Sequence, residues 1–287
     1  MHSCDTYTFA RIDGLELQAD VYRHGTERKP AVIFFHGGGG IMGTRRDILG
    51  LNHFLQEGFT VISPDYRLAP ESKLPNIVSD ALAACSWVTT QSELLGIDPG
   101  NLTVAGFSFG GYLALLLGVL LSPAPKCVLS FSGYGELSHV MYREPNAFYC
   151  THEGIISWEA AYSAVRQNPL CEGGDISRWH LYLYSRQQPA WYEMVCGTRE
   201  ENILSQYSPA RLLTAHYPSA CLVHGLKDED VPYDQSVSVA DQLRFLQRPC
   251  ELITLDGMHG VGANEEEKAW RAIHAFLKKV SGGDRNG

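Results

Sequence analysis

The chain has 287 residues, 45% of them hydrophobic and 19% charged, a balance that suits a globular protein with room for one large α/β domain or two small ones. Its net charge of -9, with no basic cluster to offset it, argues against nucleic acid as a partner. No apolar run approaches the length of a membrane span, and Met1-His2-Ser3-Cys4-Asp5 has no apolar stretch of the signal-peptide kind.

The first predicted element is a hairpin, Thr6 to Ile12 and Leu15 to Tyr22, around the two-residue turn signal Asp13-Gly14. A polar loop leads to Ala31-Val32-Ile33-Phe34-Phe35, a continuous apolar run that suits a strand buried on both faces of a parallel sheet. Asp47 to Glu57 reads as a helix stopped by Gly58, and Phe59 to Ser63 as the next strand. Pro75 to Thr90 reads as a helix with its proline in the first turn. Leu102-Thr103-Val104-Ala105 is a buried strand, Gly111 to Leu117 a buried helix, and Val128 to Ser132 a further strand.

This strand–helix alternation implies a mostly parallel sheet with helices on both faces. From Gly133 to Ser208 the rhythm is lost and aromatics crowd in, among them Tyr134, Tyr142, Tyr149, Trp179, Tyr182, Trp191 and Tyr192. The reading is a core of residues 1–132 and 209–287 with residues 133–208 inserted as a cap. The rhythm resumes with a strand at Cys221 to His224, a helix at Asp234 to Leu246, a strand at Glu251 to Leu255 and a helix at Glu265 to Lys279. Ser281 to Gly287 is expected as a frayed tail.

The eight cysteines show no C-x-x-C or other metal-type spacing. Cys85, Cys127, Cys221 and Cys250 fall in apolar elements, which points to buried free thiols and a cytoplasmic setting. No metal site is expected among the histidines either.

The chemistry concentrates in Gly106-Phe107-Ser108-Phe109-Gly110, which fits G-x-S-x-G and stands between a strand and a helix. That turn is strained and projects a nucleophilic serine, and its glycines are needed because a side chain there would strike the neighbouring strand or helix. Serine needs a base to take its proton, and the base needs a carboxylate to fix its tautomer. Asp228 follows the strand ending at His224, and His259 follows the strand ending at Leu255, in the chain order Ser, Asp, His. Glu229 and Asp230 are rivals to Asp228, with Asp230 the stronger of the two. His36-Gly37-Gly38-Gly39-Gly40 matches a glycine-rich oxyanion loop, with Gly38, Gly39 and the Phe109 amide as donors. Phe107 borders the nucleophile and is a candidate for the substrate pocket. His36 is expected to brace the glycine loop, and Arg67 and Glu71 to make an ion pair or loop hydrogen bonds.

With these residues in place the chain resembles an α/β-hydrolase of the esterase/lipase type. Asp65-Tyr66-Arg67-Leu68-Ala69-Pro70-Glu71, followed by Leu74-Pro75 and Asp80, closely resembles the DYRLAPE segment of the hormone-sensitive-lipase-like esterases. The resemblance covers nearly the whole chain in motif order apart from the cap. It implies the α/β-hydrolase fold and cleavage of a carboxylic ester through an acyl-enzyme, with no cofactor. Three features depart from that family. Phe107-Ser108-Phe109 replaces its usual Asp-Ser-Ala, the lead before the core is short, and the loop of Asp228 with Val231-Pro232 is more similar to feruloyl-esterase-like and prolyl-oligopeptidase-like hydrolases. The expected substrate is a small apolar or aromatic ester. The same triad would also serve an acyltransferase, a lactone-forming enzyme or a thioesterase, and a non-catalytic ligand-binding relative is the reading from another class.

Overall fold

The structure is a computed structural model that describes residues 2–25 and 27–282. The opening hairpin pairs β1 (Ser3–Ile12) with β2 (Leu15–Arg23) across Asp13-Gly14, both residues of which have positive φ, as the predicted two-residue turn requires. The chain continues through β3 (Lys29–Phe35), α1 (Leu51–Gln56), β4 (Thr60–Pro64), α2 (Leu74–Thr90), α3 (Ser92–Leu95), β5 (Ile97–Phe107), α4 (Phe109–Leu120) and β6 (Cys127–Phe131). Between β6 and β7 (Ser219–Gly225) the described residues form helical pieces, α5 (Ala147–His152), α6 (Trp158–Tyr162), α7 (Ile176–Gln187), one π-helical turn at Tyr192–Cys196, α8 (Glu201–Leu204) and α9 (Pro209–Leu212), with short 3-10 turns and an isolated antiparallel bridge from Gly173 to Gly43. Helix α10 (Asp234–Phe245), β8 (Cys250–Leu255) and α11 (Glu266–Gly282) complete the fold.

One eight-stranded sheet runs in the order β1-β2-β4-β3-β5-β6-β7-β8, antiparallel at the β1–β2 and β2–β4 pairs and parallel from β4 through β8. Both faces are covered, which is why β3 is apolar at consecutive positions. Ala31, Ile33 and Phe35 enter the core shared with α2, α4 and the segment between β6 and β7, whereas Val32 and Phe34 enter the second core with α1 and α11. The chain leaves β3 for β4 on one side and later places β5 on the other. The carboxyl ends of β3 and β5 therefore flank a topological switch point, where open α/β sheets bind ligands.

Several elements differ from their sequence expectation. The helix expected over 47–57 begins only at Leu51, because Gly50 has φ of 75° and a Cβ there would lie 1.8 Å from the Trp270 ring. Asp47 turns back to accept from the Thr44 amide at 2.8 Å instead of joining the helix. The last helix runs to Gly282, into the expected tail, and residues 283–287 lie outside the described residues. All eight cysteines are free thiols; Cys85, Cys127 and Cys221 are buried as expected, but Cys250 is only half-buried. Among the described residues no helix is long and apolar enough to cross a membrane, and no cluster of His, Cys, Asp and Glu could hold a metal ion.

Candidate active site

Ser108 sits at the join of β5 and α4 with φ of 56° and ψ of -118°, a conformation that L-residues rarely hold. Packing over-determines it. A Cβ on Gly106 would stand 2.2 Å from the Gly110 carbonyl oxygen, and one on Gly110 would stand 2.0 Å from that of Phe35. Both neighbours are backbone and cannot yield, so the two glycines are required for the reason the motif suggested. The Ser108 amide donates to the Phe131 carbonyl at 2.7 Å, which ties the turn to β6.

The glycine loop lies beside this turn because β3 and β5 are paired, Phe35 opposite Gly106. A Cβ on Gly37 would be 3.2 Å from Ser108 Cβ. Gly38, Gly39 and Gly40 all have positive φ, and the Gly38 carbonyl is engaged by the amides of Ile41 and Met42, so the loop curls on itself. Phe109 is the first residue of α4, where an amide has no intrahelical acceptor. His36 braces the loop from below. It is fully buried, stacked 4.2 Å from the Tyr66 ring, with Nδ1 2.8 Å from the Gly37 carbonyl, and burial pushes it down to about 4, so the ring is neutral.

The DYRLAPE-like segment is the foundation of that loop. Asp65 bonds Arg45 at 3.1 Å, Tyr66 donates to the His36 carbonyl at 2.8 Å, and the Ala69 amide donates to the Gly40 carbonyl at 2.7 Å. Arg67 and Glu71 do not pair with each other. Arg67 grips Asp80 at 2.8 Å through both Nε and Nη2, and Glu71 meets Arg178 of α7 at 3.0 Å, because the two side chains face different elements.

Asp228 and His259, the expected acid and base, lie in the loops that follow two adjacent strands. β7 and β8 end in register, Gly225 opposite Leu255, and the Lys227 amide donates to the Gly257 carbonyl at 2.9 Å, so the loops carrying Asp228 and His259 are laced together. His259 Nδ1 lies 2.7 Å from Asp228 Oδ2. Asp228 also accepts from the amides of Asp230 at 3.0 Å and Val231 at 2.8 Å, and its Oδ2 stands 3.2 Å from His224 Nε2. Burial opposes its charge, but the bonds from His224, His259 and the Val231 amide hold its carboxyl well below the usual carboxylate range. Burial likewise opposes the imidazolium of His259, yet the bond to Asp228 and the charges of Asp230 and Asp228 lift the ring above its ordinary value.

Phe107 is half-buried and its ring packs against that of His259, centroids 4.8 Å apart and planes tilted by 44°. Among the described residues, Ser108 Oγ makes no hydrogen bond to His259 in this conformation. His259 Nε2 instead faces Asp230 Oδ2 at 3.7 Å, and the Ser108 hydroxyl interacts with the phenol of Tyr134. Catalytic contacts are commonly slack before substrate arrives.

Several contributors were not singled out from sequence. Trp191 donates its indole hydrogen to the Gly39 carbonyl at 2.8 Å, and a Cβ on Gly39 would meet the Tyr182 ring at 2.4 Å, so the segment between β6 and β7 roofs the glycine loop. His224 was read as a strand-end residue and is also a partner of the acid. Arg186 and Tyr182 join Asp230, the rival acid of the sequence reading, in a buried network next to His259. Neither His224 nor α7 had a local signal: His224 lies at a strand end and meets Asp228 through the turn that follows, and nothing local says where α7 docks.

The family model for the alpha/beta hydrolase fold matches residues 32–261, so the chain belongs to the α/β-hydrolase family. It is similar to Esterase LipI of Mycobacterium tuberculosis, 41% identical over 219 residues that make up 74% of this chain and 60% of that protein. It is also similar to Non-reducing polyketide synthase trt4 of Aspergillus terreus, 34% identical over 165 residues, 50% of this chain and 7% of the synthase. The chain thus spans less than two thirds of the length of these curated relatives. Among solved structures, an alpha/beta hydrolase superfamily protein from Enterococcus faecalis has the same fold, with a TM-score of 0.78 at 23% identity over 97% of this chain and 100% of that one.

Proposed function

We propose that this chain is a serine hydrolase that cleaves the carboxylic ester of a small apolar or aromatic molecule through an acyl-enzyme, with residues 133–208 acting as its cap and the cytoplasm as its setting. The observation that carries the reading is the 2.7 Å contact of His259 Nδ1 with the buried Asp228 carboxylate, at the same sheet rim as a serine held in a strained strand-to-helix turn. Asp228 fixes the hydrogen on Nδ1, leaving Nε2 free to take the Ser108 proton. Ser108 Oγ attacks the ester carbonyl, and the amides of Gly38, Gly39 and Phe109 receive the charge on its oxygen. His259 then gives the proton to the leaving alcohol, and a water activated by the same ring releases the acid. Ser108→Ala should abolish turnover of a nitrophenyl ester and labelling by a fluorophosphonate probe, with the circular dichroism spectrum unchanged. Undiminished turnover in that variant would refute the assignment.

A second reading has one specific support, the likeness to a segment of a fungal polyketide synthase. On it the acyl-enzyme forms from a thioester, and an alcohol or an internal hydroxyl resolves it. Product analysis with an acyl thioester, with and without added alcohols, separates the two: hydrolysis alone supports the esterase, and acyl transfer or ring closure the synthase-like role.

A further inference from the structure

Asp230 lies two residues beyond the acid and on the other side of the same imidazole. Asp228 Oδ2 stands 2.7 Å from Nδ1 and Asp230 Oδ2 stands 3.7 Å from Nε2, so each ring nitrogen faces a carboxylate. Nε2 is the nitrogen that must collect the serine proton.

Asp230 is no solvated surface acid. It is buried, the Tyr182 hydroxyl reaches its two oxygens at 2.7 and 2.6 Å, and Arg186 stands 3.3 Å from Oδ1 while bonding the Asp230 carbonyl at 2.7 Å. Both partners belong to α7, and Arg186 is itself buried over the face of Tyr142, 4.8 Å from the ring centre. Buried ion pairs contribute little net stability beside well-packed apolar residues, because leaving water costs both ions their hydration. A pair placed against the base therefore calls for a role other than holding the fold.

We propose that Asp230 is a positioning residue for the base, a second carboxylate that holds His259 toward the cap and lets helix α7, through Tyr182 and Arg186, govern the charge of the ring and its alignment on Ser108. The proposal rests on the serine-hydrolase reading. Asp230 takes no proton at any step. The Ser108 O–H bond breaks as Oγ bonds the acyl carbon, the proton passes to Nε2, and it leaves for the alcohol oxygen as that oxygen departs; Asp230 acts only on the charge that the ring carries between those transfers.

The groups acting on the ring are Asp228 and Asp230 from the β7–α10 loop, Arg186 from α7 and the tilted ring of Phe107 from β5, with Tyr182 of α7 bonded to Asp230. Buried Tyr134 and Tyr149 feel Asp230 as well, but both phenols are pushed up by burial and remain neutral. On the ring's own loop, Asp256 is exposed and paired with Lys227 at 2.7 Å, and Glu265 packs by Gly257. Asp230 pulls the ring toward its charged form and Arg186 opposes that pull, which gives variants with opposite signs.

The test follows His259 directly by nitrogen NMR of histidine-labelled protein, the ring assigned by its loss in His259→Gln, alongside the pH profile of kcat/KM on a nitrophenyl ester. In Asp230→Asn the ring's titration and the acid limb should both move down by about one pH unit. In Tyr182→Phe, which strips a donor from Asp230 and leaves its charge less neutralised, both should move up. A folded Asp230→Asn protein whose His259 titrates as in the wild type, or whose rate falls equally at every pH, overturns the proposal. If Asp230→Asn does not fold, Tyr182→Phe decides alone, an upward shift supporting the proposal and an unmoved titration overturning it. Should the wild type turn over no ester at all, the hydrolase reading fails, while the NMR titration still reports whether Asp230 acts on the ring.

Discussion

Asp228→Asn separates the electrostatic role proposed for Asp228 from its structural one. Asp228 Oδ1 accepts from the amides of Asp230 at 3.0 Å and Val231 at 2.8 Å, and Oδ2 faces His259 Nδ1 at 2.7 Å and His224 Nε2 at 3.2 Å. An asparagine can keep its oxygen on the two amides, so the loop should stay folded. Its NH2 group then stands where Oδ2 stood and presents hydrogens to Nδ1. Two donors cannot share that contact, so the ring moves its own hydrogen to Nε2 and can no longer accept the serine proton. Flipping the amide restores the acceptor to His259 only by turning NH2 onto two backbone donors. The wrong tautomer should cost kcat about 10⁴-fold, the loss known for the equivalent change in a serine protease, or about 5.5 kcal/mol of transition-state stabilisation. The assay is kcat on a short-chain nitrophenyl ester near neutral pH, with thermal melting of both proteins. A loss under tenfold with an unchanged melting temperature would refute the reasoning and point to another carboxylate, Asp230 first.

Gly110→Ala should abolish soluble, folded protein or lower its melting temperature sharply, because the new Cβ would lie 2.0 Å from the Phe35 carbonyl oxygen, a backbone atom inside the central sheet; a melting temperature equal to wild type would contradict the packing argument. Trp191→Phe leaves the buried Gly39 carbonyl without its 2.8 Å donor. Stability measured by urea unfolding should fall by about 1–3 kcal/mol, with kcat falling further than KM rises, and unchanged kcat would show that the roof does not hold the glycine loop. The acid limb of kcat/KM should lie above the ordinary histidine value of 6.5, since only the neutral ring can accept the serine proton and its pKa is raised in the fold. Linkage has the opposite sign: the His259 contribution to stability is complete below the unfolded value and is lost as pH rises through the raised folded one. Activity should thus climb across the window in which this contribution declines, and an acid limb below 6.5 would contradict the arrangement.

The residues of the nucleophile turn carried their own explanation in the sequence. Gly106 and Gly110 are needed by a local backbone geometry, and a pattern of five residues between an apolar strand and an apolar helix is enough to state it. The parallel sheet was equally legible, because β3 must be apolar at consecutive positions when helices cover both its faces. Chain order and spacing pointed to Asp228 and His259 as the candidate acid and base, with Glu229 and Asp230 as rivals to Asp228.

Other features answer to contacts that no local pattern encodes. The helix expected from Asp47 is cut back by Gly50, and the reason is the Trp270 ring of α11, far along the chain. The sequence reading gives Arg67 and Glu71 an ion pair or loop hydrogen bonds without saying to whom; Asp80 and Arg178 are the ion-pair partners, since a pair is decided by which element packs nearby. The same holds for the site. Asp228 and Asp230 are alike as residues in a loop, and only the docking of β8 and α7 puts one beneath Nδ1 and the other opposite Nε2. The sequence determined the chemistry available at the sheet rim through short-range backbone demands. The tertiary structure decided which charges face the base, because that depends on distances of a few ångströms between segments joined only by folding.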